Sequence, residues 1–592
     1  MSVSPGKLSR FWQELKRRRV IHVITVYASS AFVIIELINN LAEPLNLPPN
    51  LLTIVLIVLA VGFPLAIILS WLYDLTGQGM ERTKPLSEIE EGEKTVVPNA
   101  WRIATYISFV VILGLAVLNI VVGGKQVRAG DIQSLVILPF ENFTGDDQLD
   151  NMVSSMHSLL CGDMGRISGL RVVGKTSSKI YKDTDLSAKD IARELNVDAV
   201  LEPTIMCLGD SVCMQFRLVS TTGEEDQIWV GDYKEDKRQI LNLFNRLTRQ
   251  VADEVMIELT PEEERLLSKS RTVDREAYDA YLQSSFLIDD GSEESLYKAL
   301  EYLNRAIEKD PDWAPLYSGL CSVWTALALV GAESPEIADP KIIAYRNKAL
   351  ELDPDFADIH AMNAGIAFWT EWNWEKAEKE YVKAIALNPN DAVSRVLYAQ
   401  LLCCLQRPDE ALRQGQLAIE LDPGNPWVQV YYSAILFSVG DYEAALTIGE
   451  NLVATKQDHA FGNSIVEWAA YYCKDYEKSF QATKHLLPLE EDAIKEIEVI
   501  FNKKGFFAAF EEITDQLEVL AQKGGISPMH MAYMYILADR PDKAMDWIEK
   551  GFEMQDPQMP YLVSGSFHLD ILYENPRFIA ILEKMNLPIP KK

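Results

Sequence analysis

Four Asp-Pro or Asn-Pro pairs, each at the end of an amphipathic segment, constrain this chain more than any other feature. Their prolines are Pro311, Pro354, Pro389 and Pro423, which are 43, 35 and 34 residues apart. Proline stops a helix because it lacks an amide proton and clashes with the preceding turn. A spacing near 34 residues therefore predicts a stack of helix pairs in which each pair buries its apolar face against its neighbours.

Small, aromatic and proline residues recur at matching positions of these units, as in tetratricopeptide repeats. One unit carries them at Ala364, Gly365, Phe368, Ala377, Tyr381, Ala384 and Pro389, and the next at Ala399, Ala411, Ala418 and Pro423. Small residues let two helices approach closely. We count about six repeats over residues 272–560, with a less regular helical stretch at 490–523 and a C-terminal cap at 561–592. The longest spacing holds nine extra residues within 331–341, predicted to form a loop.

Stacked helix pairs form a groove lined by the first helix of each pair, a surface suited to a peptide or a partner helix. The residues predicted to face this groove are Asn363, Trp369, Gln400, Trp427 and Tyr431. Their aromatic members fit the core between repeats equally well, and both interpretations stand. Only Asn363 would suit a clamp for a terminal carboxylate, so we do not expect that mode of binding.

Three apolar stretches, residues 20–42, 51–73 and 103–122, are each long enough to cross a membrane as a helix. Residues 1–19 form a basic segment and residues 74–102 form a linker with four Lys or Arg, whereas the loop 43–50 has none. Positively charged loops stay in the cytoplasm. The N-terminus and the linker are therefore predicted to be cytoplasmic, and everything after the third span is predicted to lie outside the cytoplasmic membrane.

The part that follows the spans is strongly acidic. Residues 131–592 hold 77 Asp and Glu against 44 Lys and Arg. Nucleic-acid binding draws most of its affinity from Lys and Arg that neutralise phosphates. We therefore expect no nucleic-acid partner for this part of the chain.

Residues 131–262 combine strand and helix patterns and predict an α+β domain. Strands are predicted at 134–141, 170–173, 199–208, 212–221 and 227–233, and helices at 150–167, 188–195 and 238–259. Ser187 is the predicted cap of the helix at 188–195.

Cys207 and Cys213 flank the predicted turn at Gly209 and Asp210. A two-residue turn places Ile205 opposite Met214 and turns the cysteines to opposite faces of the hairpin. A three-residue turn pairs the cysteines but sets Ile205 opposite Gln215. Because the first register keeps apolar residues on one face, we favour free thiols.

Residues 169–176 match the phosphate-binding pattern GxxxxGK[ST]. That chemistry needs a strand before the first glycine and a helix that opens at the Lys-Thr pair. Here the predicted strand lies between the glycines, and residues 176–181 lack a helical pattern. The seven histidines are also dispersed without a catalytic or metal-binding pattern. We therefore predict no cofactor, no metal site and no enzymatic activity.

Several segments occur in a specific order: SLVILPFENFTGD, GLRVVGKTSS, IARELNVDAVLE and the repeats that follow. In this order the chain resembles bacterial membrane proteins that join a domain similar to the N-terminal domain of TolB to tetratricopeptide repeats. The resemblance implies three transmembrane helices, a TolB-like α+β domain over 131–262 and an all-α tetratricopeptide solenoid. It also implies a multi-pass protein of the bacterial inner membrane, with a large periplasmic region.

Together these observations predict a non-enzymatic, membrane-anchored scaffold or adaptor. It would bind a protein or peptide of the cell envelope through the repeat groove and the α+β domain. The lipid bilayer is a second partner, and association with further copies of the chain is left open. The alternative is a signalling protein that passes an extracytoplasmic binding event to a cytoplasmic partner.

Overall fold

The computed structural model describes residues 20–41, 51–76, 79–82, 132–222, 225–523 and 525–590, together with the single positions 12 and 15. The chain divides into two compact units, Met1–Gln126 and Val127–Lys592. The predicted third span, residues 103–122, lies outside the described residues.

The first unit contains two apolar helices, α1 (Val20–Leu41) and α2 (Leu51–Leu72), followed by a hairpin of β1 (Tyr73–Thr76) and β2 (Gly79–Arg82). The Tyr27 hydroxyl on α1 donates a 2.8 Å hydrogen bond to the Leu59 carbonyl on α2. Within the described residues one helix, Ile54–Leu72, is long and apolar enough to cross a membrane. The structure thus offers one candidate span where the sequence predicts three, and α1 is less apolar because it includes His22, Glu36, Asn39 and Asn40.

The second unit begins with a mixed sheet. Its strands are β3 (Ser134–Ile137), β4 (Glu141–Asn142), β5 (Arg171–Val172), β6 (Ala199–Leu208), β7 (Ser211–Ser220) and β8 (Asp226–Asp236). The order is β5-β3-β6-β7-β8, with β4 beside β6. The first three strands of this path pair in parallel and the last three pair antiparallel. The mixed sheet agrees with the predicted α+β class.

Helices pack against both faces of the sheet. Successive residues of β3 point to opposite faces, so neighbouring residues of this strand belong to different clusters. Leu135 packs in one cluster with helices α3 (Asp150–Met164) and α6 (Ile240–Glu254), and Val136 packs in another with α5 (Ala188–Leu195). Short helices α4 (Lys175–Lys179) and α7 (Pro261–Leu267) complete this region. Ser187 caps α5 as predicted, accepting a hydrogen bond from the Asp190 amide.

The preference for free thiols at Cys207 and Cys213 is wrong, because the two residues form a disulfide with Cα atoms 4.8 Å apart. The pairing of Ile205 with Met214 is present as expected, but a β-bulge at Met206 follows it. A bulge inserts one extra residue and reverses the facing of the residues beyond it. Cys207 therefore pairs directly with Cys213, without moving the apolar residues off their face.

The rest of the second unit is a solenoid of helix pairs. In the described part of the chain these pairs are α8 (Arg275–Asp290) with α9 (Glu293–Lys309), α10 (Ala314–Leu329) with α11 (Pro335–Leu352), α12 (Ala357–Trp369) with α13 (Trp374–Leu387), α14 (Ala392–Cys404) with α15 (Pro408–Leu421), α16 (Pro426–Ser438) with α17 (Tyr442–Thr455), α18 (Ala460–Tyr472) with α19 (Tyr476–Lys484), α20 (Glu491–Lys504) with α21 (Phe506–Ala521), and α22 (Pro528–Leu537) with α23 (Pro541–Glu553). Helix α24 (Pro576–Lys584) follows. The four helices predicted to end before Asp-Pro or Asn-Pro do so, at Lys309, Leu352, Leu387 and Leu421.

Two details of the solenoid differ from the sequence prediction. The predicted loop is present only in part: residues 331–334 form a turn, and the remaining extra residues lengthen α11, which includes Pro340 and spans 18 residues. A proline at the first position of a helix loses no hydrogen bond, so Pro335 begins this helix without cost. The irregular stretch 490–523 forms the pair α20 and α21, and the described part of the solenoid holds eight pairs where the sequence predicts about six.

Glu467 on α18 provides a pH-dependent test of this packing. Its side chain is buried, accepts a 2.8 Å hydrogen bond from Thr483 Oγ1, and has its pKa raised to about 7 by burial. An acid whose pKa is raised on folding makes its full contribution to the free energy of unfolding at pH values below its pKa in the unfolded chain. This contribution is lost as the pH rises through its pKa in the folded protein. We expect Glu467→Gln to raise the free energy of unfolding by about 1–3 kcal/mol at pH 8 and by nearly nothing at pH 4.5.

Urea unfolding of the detergent-solubilised full chain at the two pH values measures this difference. Glu258→Gln is the matched control, because Glu258 is exposed. An equal or lower stability of Glu467→Gln at pH 8 would contradict the assignment.

Candidate functional site

Two of the five residues predicted to line the repeat groove are engaged inside the protein. Asn363 on α12 is buried, with its Nδ2 atom 3.5 Å from Glu380 Oε2. Gln400 on α14 is also buried, and its Nε2 atom donates a 2.7 Å hydrogen bond to the Tyr431 carbonyl. The amide nitrogens of both side chains are therefore directed at protein acceptors.

The C-terminal segment lies across the first helices of the repeats, on the surface predicted as the groove. Trp369 Nε1 at the end of α12 donates a 3.1 Å hydrogen bond to the Tyr561 hydroxyl, and Phe567 stacks on Tyr533 of α22 with ring centres 4.1 Å apart. The side chains of the segment that are buried include Met559, Leu562, Val563, Leu569 and Leu572. Residues 561–592, predicted as an end cap, thus include a stretch that fills part of the predicted groove.

Two predicted residues remain at the surface and join a third in what we call the aromatic patch: Trp427, Tyr431 and Phe461. The exposed fractions of Trp427 and Phe461 are 53% and 48%. Trp427 contacts both neighbours, with ring centres 6.2 Å from Tyr431 and 5.0 Å from Phe461. Burial raises the pKa of Tyr431, so its hydroxyl is neutral at physiological pH.

Helix geometry explains why these rings meet. Trp427 is the second residue of α16 and Phe461 is the second residue of α18, which are the first helices of adjacent pairs. The two positions are 34 residues apart, which is the repeat spacing. Phe461 is not among the residues predicted to face the groove, although the repeat period alone relates it to Trp427.

The segment that matches the phosphate-binding pattern serves as a contact between the sheet region and the solenoid. As expected, β5 lies between its two glycines, but the short helix α4 does open at Lys175. The Ser177 amide and hydroxyl both donate to Asp422 Oδ1, at 2.9 and 2.6 Å, and the Gly174 amide donates to the Leu421 carbonyl at 2.7 Å. A protein carboxylate therefore occupies the amides that would hold a phosphate.

Gly174 is required at this contact. A Cβ atom there would lie 2.4 Å from Asp422 Cγ, which is closer than real atoms approach. Lys175, the residue that would reach a bound phosphate, instead forms an ion pair with Asp289 at 3.1 Å.

No protein-family model matches the chain. A curated relative, named "Putative adenylate cyclase 3" from Rhizobium meliloti (strain 1021), is 28% identical over 188 residues. The match covers 32% of this chain and 32% of the relative, so the chain spans about a third of the length of the curated relative that it matches.

This relative corrects the prediction of a protein without enzymatic activity. The prediction rested on dispersed histidines and a rejected phosphate-binding motif, and it is contradicted by a relative that carries the name of an enzyme.

Solved structures with similar folds include tetratricopeptide repeat proteins. PilF of Pseudomonas aeruginosa is 16% identical, with 37% of this chain and 98% of that chain covered and a TM-score of 0.28. A tetratricopeptide repeat protein of Parabacteroides merdae is 14% identical, with 53% and 100% covered and a TM-score of 0.27. Yeast Tom70 is 15% identical, with 55% and 68% covered and a TM-score of 0.28. The solenoid is assigned as tetratricopeptide-like on its own helix pairs and repeat spacing.

Proposed function

We propose that this chain is a membrane-anchored protein that binds a partner protein through the aromatic patch on its solenoid. The observation that carries the proposal is the exposure of Trp427 and Phe461, two large rings in contact at the surface. Buried aromatic anchors contribute most of the binding energy at many protein interfaces. Rigid helices on adjacent repeats hold these rings, so little entropy is lost when a partner covers them.

The first unit supports the membrane anchor. The helix Ile54–Leu72 has a mean hydropathy of 2.7, and only 11% of it is buried inside the protein. Its exposed apolar side chains include Ile57, Val61, Leu65 and Leu69. A helix that is apolar on all sides and uncovered by protein suits a lipid environment.

The disulfide between Cys207 and Cys213 supports an extracytoplasmic location of the second unit. Disulfides persist in oxidising compartments such as the bacterial periplasm and are rare in the cytosol. The basic segment before the first helix supports the same orientation, because positively charged flanks stay inside. The likeness to the N-terminal domain of TolB stays a prediction from the sequence.

Photocrosslinking tests the aromatic patch. With p-benzoylphenylalanine in place of Trp427 in the full chain in its native cells, we expect a specific crosslinked protein band. Phe461→Ala should weaken that band at least about fivefold, because loss of one aromatic anchor costs 1 kcal/mol or more. The same probe at Val519, which is 56% exposed on α21, is the control and should give no band. Equal bands at 427 and 519 would exclude a specific site.

Protease accessibility tests the membrane topology. A peptide tag at Lys592 should be removed by protease added to intact cells stripped of their outer layer, because the second unit is expected to face the periplasm. The readout is loss of the tag on a blot, with a cytoplasmic protein as the protection control. Protection of the tag until the membrane is breached would place the solenoid in the cytoplasm.

The curated relative favours a second candidate function, an enzymatic activity on a nucleotide. The full chain incubated with ATP and Mg²⁺ would then form cyclic AMP above the level of a heat-denatured sample. A positive result would establish the enzyme, and it would leave the role of the aromatic patch to be decided by crosslinking.

A further inference from the structure

A cleft of about 940 Å³ opens in the sheet region, away from the aromatic patch. One wall runs from Leu138 through β4 to Asp150, and the opposite wall runs from the end of α4 at Lys179 to Ile191 in α5. Residues of β6 and β7 close its third side.

The cleft lies at a position in the sheet topology where many other proteins bind ligands. From β3 the chain passes through α3 on one face to β5, and from β5 through α5 on the other face to β6, which lies on the opposite side of β3. A crevice forms outside the carboxyl ends of parallel strands where such connections diverge. The cleft lies at the carboxyl end of β3.

Its walls are fixed by side-chain contacts. Asn142 binds Asp150 Oδ1 at 2.6 Å and the Thr144 hydroxyl at 2.7 Å, which holds the first loop. Lys182 reaches across to Asp150 Oδ2 at 3.4 Å and links the two walls. The Asn142 hydrogen bond lowers the pKa of Asp150, so this carboxylate stays charged.

Negative charge predominates in the cleft. Its three cations are each neutralised by a carboxylate: Lys179 by Asp289, Lys182 by Asp150 and Arg217 by Glu202. Its other acids, Glu141, Asp147 and Asp183, are exposed and form no ion pair among the described residues. A cationic ligand therefore fits the cleft better than an anionic one.

Large apolar side chains lie beside these carboxylates. Phe143, Leu186 and Met206 line the cleft with exposed fractions of 65%, 43% and 45%. Met206 is the extra residue of the bulge next to the disulfide, and bulges commonly re-aim a side chain next to a site.

His157 adds an unused hydrogen-bond acceptor. This side chain lines the cleft, is 1% exposed, and has no partner for its Nδ1 atom among the described residues. Its Nε2 atom lies 3.0 Å from the Ile137 carbonyl, which can only accept, so Nε2 carries the proton and Nδ1 is bare. Burial lowers the pKa of His157 to about 4, so the ring is neutral at pH 7.

We propose that this cleft binds an extended segment of a partner protein that presents Lys or Arg beside a large apolar side chain. The unpaired carboxylates attract the cation, and Phe143 and Met206 cover the apolar side chain. A nucleotide is disfavoured because the free charges of the cleft are negative. This site is independent of the aromatic patch.

Fluorescence anisotropy tests the proposal. The full chain in neutral phosphatidylcholine nanodiscs is titrated into a labelled peptide in which Lys and Arg alternate with Leu and Phe, with empty nanodiscs as the blank. We expect saturable binding that weakens with added salt. The same peptide with Glu in place of Lys and Arg should not bind.

Two variants and their matched controls locate the binding. Glu141→Lys with Asp147→Lys should weaken binding about tenfold, whereas Glu301→Lys with Asp339→Lys makes the same charge change at exposed positions elsewhere and should leave it unchanged. Phe143→Ser should weaken binding several-fold, and Val519→Ser should not. Circular dichroism checks that every variant is folded.

Several results would overturn the proposal. These are an absence of saturable binding, equal binding of the acidic peptide, or equal weakening by the two charge variants. Displacement of the peptide by ATP would assign the cleft to a nucleotide instead. Crosslinking at the aromatic patch does not depend on any of these results.

Discussion

Helix α3 is the element on which the second unit depends, because it packs against the sheet on one side and against the solenoid on the other. Its buried residues join the sheet and α8 in a single apolar cluster that continues to Ile359. A hydrogen bond of 2.8 Å from Ser155 Oγ to the Leu282 carbonyl fixes the contact. The sheet region and the first repeats therefore share one apolar core.

A second contact joins the sheet to the middle of the solenoid through residues beside the helix-ending prolines. Asn390 Oδ1 accepts from the Val172 amide at 2.9 Å, and its Nδ2 atom donates to the Leu170 carbonyl at 2.9 Å. Asp422 accepts from the Ser177 amide and hydroxyl. Buried amides without a partner cost about 1–3 kcal/mol each, so these turns are held as firmly as a core contact. Two of the four helix-ending turns, at Pro389 and Pro423, thus also bind the sheet region.

Local sequence patterns predicted individual strands and helices correctly. Contacts between residues that are far apart in the sequence were not predicted. The strand 199–208 and the helix 188–195 have the predicted bounds, since alternation and a serine cap are local signals. The disulfide was missed because a single bulged residue, Met206, reverses the facing of Cys207. The contact of Tyr561 with Trp369 spans 192 residues, and no local pattern reveals that the C-terminal segment covers the predicted groove.

The aromatic patch and the cleft also differ in how far the sequence predicts them. Trp427 and Phe461 are related by the repeat period, so the aromatic patch was within reach of the sequence. The cleft brings together Glu141, Lys182, Met206 and Arg217, which meet only because β4 and β6 pair and Lys182 crosses to Asp150. Because α3 joins the sheet to the first repeats in one core, a partner that fills the cleft and one that covers the patch would bind to the same compact unit. An effect of one on the other would have to pass through packed side chains of this unit.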